Sequence, residues 1–140
     1  MSYLHRGSHA TSRKSDYRNN LRRRSIGTST LVGSDVYNYD DEHIGDVKEI
    51  MLNLFTGEIA YVVLSFGGIF GLGEKLFAIP WKAYTLDSTH QTLILNESKE
   101  RLENAPGFDK ECWPNMAEKG WINEVHTFYE TRVYSFEEEY

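Results

Sequence analysis

The stretch Gly67-Gly68-Ile69-Phe70-Gly71-Leu72-Gly73 is the densest glycine cluster in the chain, and backbone N–H groups uncovered by side chains are what cradle a phosphate. A nucleotide loop of that kind needs a helix N-terminus directly behind its glycines. Here the chain runs straight into Lys75-Leu76-Phe77-Ala78-Ile79-Pro80-Trp81, a strand pattern, and Lys75 is followed by neither Ser nor Thr. The stretch reads instead as a hairpin loop. Its Ile69, Phe70 and Leu72 then read as contact residues, because apolar side chains on a loop mark packing or a partner.

Asp40-Asp41-Glu42 with Gly45 and Asp46 has the oxygen density of a calcium loop. The third ligand position would fall on Ile44 and no helices flank the segment, so a turn between strands is the expectation. His43, His90 and His126 are scattered without metal-ligand spacing, and His5 and His9 lie near the N-terminus; no metal site is expected. Cys112 is the single cysteine, with Lys110 as its basic neighbour, and becomes a nucleophile only if the fold brings a base to it. No catalytic residue and no cofactor follow from these patterns. The expectation is a non-enzymatic protein.

The elements that must position these residues are short and apolar, each closed by a turn. Ile44 to Leu54 leads into Phe55-Thr56-Gly57, and Ile59 to Phe66 leaves it, which reads as a hairpin with a bulge at Gly57, where φ is positive. Ile59, Tyr61 and Val63 alternate with Ala60, Val62, Leu64 and Phe66, so this strand is apolar on both faces and central. The run ending Ile79-Pro80-Trp81 must stop or bulge near Pro80, which donates no ladder bond, with Trp81 buried against Val62 or Leu64. Thr92-Leu93-Ile94-Leu95 is a further strand.

Taken in order, Ile44-Gly45-Asp46-Val47, Thr56-Gly57-Glu58-Ile59, Tyr61-Val62-Val63-Leu64, Gly67-Gly68 and Phe77-Ala78-Ile79-Pro80-Trp81 resemble the PRC-barrel family, named for the cytoplasmic barrel of the photosynthetic reaction centre H subunit. The resemblance implies a mainly β fold, a small barrel of about six strands, and a binding scaffold, since the family shares a fold and not an active site. Its members include the H-subunit barrel and the barrel of a ribosome maturation factor that docks on a ribosomal protein. Leu102 to Phe108 and Trp113-Pro114-Asn115-Met116 resemble the extension that follows the barrel in stand-alone bacterial members, some of which look stress-associated.

Length and charge narrow the alternatives. One domain with extensions is expected from 140 residues, and such a barrel folds without metal or disulfide. A lone cysteine and no run near the roughly 20 apolar residues of a membrane span point to the cytoplasm. Residues 1–30 hold seven basic side chains against Asp16, a net of +6, while the rest hold 8 basic and 20 acidic, a net of -12. The expected organisation is a disordered basic arm over 1–29, the barrel over 30–97, and a helical extension with an acidic tip over 98–140.

Two readings of partner remain open. In the first, the barrel binds a protein or a second copy of itself, through Ile69, Phe70 and Leu72 and through the helical stripe of Trp121, Ile122, Val125, Phe128 and Tyr129. Trp121, Phe128 and Tyr129 are its candidate interface residues. The stripe folding back onto its own barrel is equally compatible with the spacing. In the second reading, Arg22, Arg23 and Arg24 contact a polyanion, making the chain a nucleic-acid- or ribosome-associated factor, or belong to a transit peptide. A solvated tail resting on the acidic barrel is the plain alternative, and a domain at -12 repels phosphate.

Overall fold

The computed structural model of the chain describes residues 25–67 and 74–131. The expected disordered arm lies largely outside the described residues. Residues 25–29, assigned to the arm on sequence, carry structure: Ile26 packs against the core, and a one-turn helix α1 spans Thr28–Leu31. Six strands follow, β1 Asp35–Tyr37, β2 His43–Leu52, β3 Ile59–Gly67, β4 Glu74–Pro80, β5 Tyr84–Asp87 and β6 Thr92–Leu95, then helices α2 Lys99–Glu103 and α3 Lys119–Phe128. The mainly β expectation holds.

The strands form one sheet in the order β4-β3-β2-β1-β6-β5. β1–β2, β2–β3, β3–β4 and β5–β6 pair antiparallel, and β1–β6 pair parallel. The ladder does not close. β4 and β5 are its edges, joined by the single 3-10 turn Trp81–Ala83, and the Tyr84 hydroxyl donates to the Val62 carbonyl at 3.2 Å, tying β5 back to β3. The outer edge of β4 is covered in turn by Phe108, which exchanges backbone hydrogen bonds with Leu76 at 2.8 and 2.9 Å. Covering an edge this way removes a template for stray strand pairing.

β3 lies between β2 and β4 and buries Tyr61, Val62, Val63 and Leu64 in succession, so both its faces are packed, as its composition requires. β4 ends at Pro80, where the missing N–H breaks the ladder. Trp81 departs from expectation. It opens the 3-10 turn and is half-buried at the rim of the core rather than sealed inside it. The β2–β3 hairpin also differs in detail: its loop spans Asn53 to Glu58, with Asn53 N–H donating to Glu58 O and Gly57 N–H to Asn53 O, both at 2.8 Å. Gly57 sits at φ 76°, as a left-handed turn residue must.

Candidate functional site

The largest apolar exposure in the described chain is at the β2–β3 tip. Leu54 is 95% exposed and Phe55 72%, with Leu52 at 56% beside them. The loop that presents them is built from its own polar groups. Asn53 Oδ1 accepts from the N–H of Phe55 at 2.8 Å and of Thr56 at 3.2 Å, and the Thr56 hydroxyl accepts from Glu58 N–H at 3.2 Å. An Asn side chain standing in for a backbone acceptor fixes the turn without calling on the core, and both large side chains stay mostly exposed. Glu49 of β2 and Glu58 of the loop are exposed.

Sequence reasoning placed Phe55 in the turn and overlooked this surface. A signal was present: the apolar residues of Met51-Leu52-Asn53-Leu54-Phe55 continue past the last ladder pair, Leu52 with Ile59.

The sequence-derived contact residues fall in three places. Ile69, Phe70 and Leu72 lie outside the described residues, between Gly67 and Glu74 in sequence. Arg22, Arg23 and Arg24 also lie outside them. Trp121, Phe128 and Tyr129 are on α3 and its C-terminal cap, and this helix folds back on its own barrel. Trp121 stacks edge-on against Tyr61 with centroids 5.2 Å apart, and Tyr129 is buried in the core. Phe128 lies half-exposed under the Arg101 guanidinium, 4.1 Å from ring centre to Cζ, while Arg101 Nη2 donates to Phe128 O at 2.7 Å. Tyr129 therefore has little surface to offer a partner, and Trp121 and Phe128 keep only part of theirs.

Glu118 caps the helix, its carboxylate accepting from the N–H of Gly120 at 2.8 Å and of Trp121 at 3.0 Å. A shallow groove of about 570 Å³ runs between α3 and the turn after α2, lined by Asn104, Pro106, Gly120, Asn123, Glu124 and Phe128. Glu124 is the one titratable side chain lining it, so the groove can seat a side chain but holds no acid–base pair.

Three clusters of titratable groups among the described residues contain a histidine. Asp35 and Asp46 face each other across the β1–β2 ladder, and His43 Nε2 lies 3.2 Å from an oxygen of each. Their donor atoms all fall within 4.8 Å of one another, close enough to hold a divalent cation, and the three side chains are about half-exposed. Burial, followed by the neighbouring Asp35, raises the Asp46 carboxyl above its ordinary range. The spacing 35, 43, 46 gave no hint of this meeting, which strand pairing creates. His90 Nδ1 meets Asp87 Oδ2 at 2.8 Å in the β5–β6 turn.

The third cluster is buried: His126 Nε2 lies 3.1 Å from the Tyr61 hydroxyl and Nδ1 2.7 Å from the Thr131 hydroxyl. Burial lowers the His126 pKa, with Lys82 adding to the effect, and burial likewise pushes the phenols of Tyr84 and Tyr129 up. Cys112 is free and exposed.

No helix among the described residues is long and apolar enough to cross a membrane. A comparison with curated proteins returns no match. The family model for the PRC-barrel domain matches residues 24–102, from just before α1 to within α2, and so covers every strand of the sheet. That span is more than half of the chain, and the chain belongs to the PRC-barrel domain family.

Proposed function

We propose that this chain is a non-enzymatic protein-binding module of the cytoplasm and that the β2–β3 tip is its contact surface. The observation that carries the reading is the pairing of Leu54 and Phe55, 95% and 72% exposed, on a loop pinned by Asn53 and Gly57. Large apolar side chains kept mostly exposed by a preorganised turn mark a contact surface. A ring and a branched aliphatic side chain on a rigid tip are what an apolar pocket on a partner accepts. The simplest such partner is a second copy, meeting tip to tip about a two-fold axis.

Sedimentation of the wild-type chain and of Phe55→Asp at micromolar concentration tests this. The wild type should sediment above its 16.2 kDa monomer mass and the variant at it, with both giving the same circular dichroism. A wild type that stays monomeric refutes the dimer. A variant that associates as the wild type does refutes the tip as its contact.

The basic N-terminal segment favours a second reading, binding of a polyanion by Arg22, Arg23 and Arg24. Affinity carried by phosphate contacts falls steeply with salt and is lost with that segment, whereas association through Phe55 is apolar and persists in salt.

A further inference from the structure

His126 sits at the end of α3 nearest the chain's last described residues, in contact with the barrel it closes. His126 is 5% exposed, and its ring bridges two hydroxyls, Tyr61 on β3 at 3.1 Å and Thr131 just past the helix at 2.7 Å. We propose that His126 makes α3 an acid-releasable latch: neutral, it holds the helix on β3; protonated, it drives the helix off and uncovers the Tyr61 and Trp121 faces.

The physical case rests on what surrounds the ring. A neutral imidazole donates through one nitrogen and accepts through the other, so the two hydroxyls satisfy it completely. A protonated ring donates from both nitrogens and both hydroxyls can accept, so the hydrogen bonds survive; the cost lies in placing a cation where little water reaches it. Among the described residues the charge that acts on it is Lys82, on the turn between β4 and β5, and that charge is also positive.

The other charged groups on the packed elements either have their own partners or are exposed. From β4, Lys75 lies 5.4 Å from the Phe77 ring centre, and Glu74 pairs with Ser65 and Lys48. From α2, Arg101 is held by Glu97 and Phe128 O, and Lys99, Glu100 and Glu103 are exposed. On α3 itself, Glu118 caps the N-terminus, and Lys119 and Glu124 are exposed, as is Glu130 beyond its end. The folded pKa therefore lies below the unfolded one. Docking is at full strength above the ordinary imidazole value and weakens as pH falls beneath it.

Hydrogen exchange of the full chain tests this at about pH 7.5 and about pH 5, on either side of the ordinary value of roughly 6.5. Corrected for intrinsic rates, amides of residues 119–128 should lose at least about tenfold of their protection at the lower pH while β2, β3 and β4 keep theirs. His126→Gln should remove that pH dependence. Equal protection at both pH values overturns the latch, as does a Gln variant with the wild-type loss, or a loss spread evenly over the sheet. A second readout needs no variant: the His126 ring followed by NMR in the wild-type chain should titrate below the ordinary value, and titration at or above it overturns the proposal.

Discussion

Gly45→Ala is the substitution that most directly tests how the sheet is packed. Gly45 lies in β2 opposite Val36 of β1, at φ 156°, and is buried. A Cβ there would land on the backbone carbonyl oxygen of Ser65 and lie 2.9 Å from Leu64 Cδ1. Neither obstacle can yield easily. Ser65 O belongs to β3, whose ladder to β2 runs on through Leu52, and Leu64 is fully buried. Relief requires the two strands to part locally. The unfavourable φ costs about 1–2 kcal/mol, and overpacking a closed core adds about 1–3, so roughly 2–5 kcal/mol should be lost.

Against the roughly 5–15 kcal/mol of a typical domain that is a large fraction. Urea unfolding followed by tryptophan fluorescence should show a much lower midpoint at an unchanged slope. Gly57→Ala is the internal control. It too has positive φ, 76°, but its Cβ would meet nothing within 4 Å, so only the conformational cost of about 1 kcal/mol applies. A Gly45→Ala loss no larger than that of Gly57→Ala would refute the close β2–β3 approach.

Trp121→Ala removes the edge-on contact with Tyr61 and part of the apolar cover over β3, and should lower stability by about 2 kcal/mol, read as a shift in the urea midpoint that does not depend on protein concentration. A concentration-dependent shift would place Trp121 between copies instead. Glu74 is held below the usual carboxyl range, first by the Ser65 hydroxyl at 2.5 Å and then by Lys48. Its contribution is present above the unfolded value of roughly 4.3 and is lost as pH falls through the folded one. The wild type should therefore lose more stability than Glu74→Gln between about pH 5 and pH 3; equal losses would show that the pairing contributes nothing.

The strands were legible because each carries its own local instruction. Pro80 stops β4 by lacking a donor, Gly57 turns the chain through a φ that other residues resist, and the doubly apolar Tyr61 to Leu64 has to be covered on both faces. The fate of the helical stripe was not legible. Spacing sets which residues share a face of α3, but the same face suits a second subunit or the chain's own barrel. What decides is Tyr61, whose ring meets Trp121 and whose hydroxyl reaches His126, 65 residues away. Likewise Asp35, His43 and Asp46 meet only because β1 and β2 pair in one register, and that register is a tertiary fact.

The geometry of β3 also constrains how copies could assemble. Phe55 precedes its first residue, Ile59, and the loop holding Ile69, Phe70 and Leu72 follows its last, Gly67. A nine-residue strand spans roughly 30 Å, so no single small contact on one copy can include both ends. A closed two-fold dimer therefore either joins tip with tip or sets two copies antiparallel, with the tip of each against the far end of the other. Where the tip of one copy meets the far end of the next without the reciprocal contact, the arrangement is head to tail and grows into a chain unless the rotation closes a ring. Sensitivity to Phe55→Asp alone is thus the signature of a closed dimer through the tip, whereas equal sensitivity to Phe55→Asp and Phe70→Asp, with species larger than a dimer in the wild type, is the signature of the open arrangement.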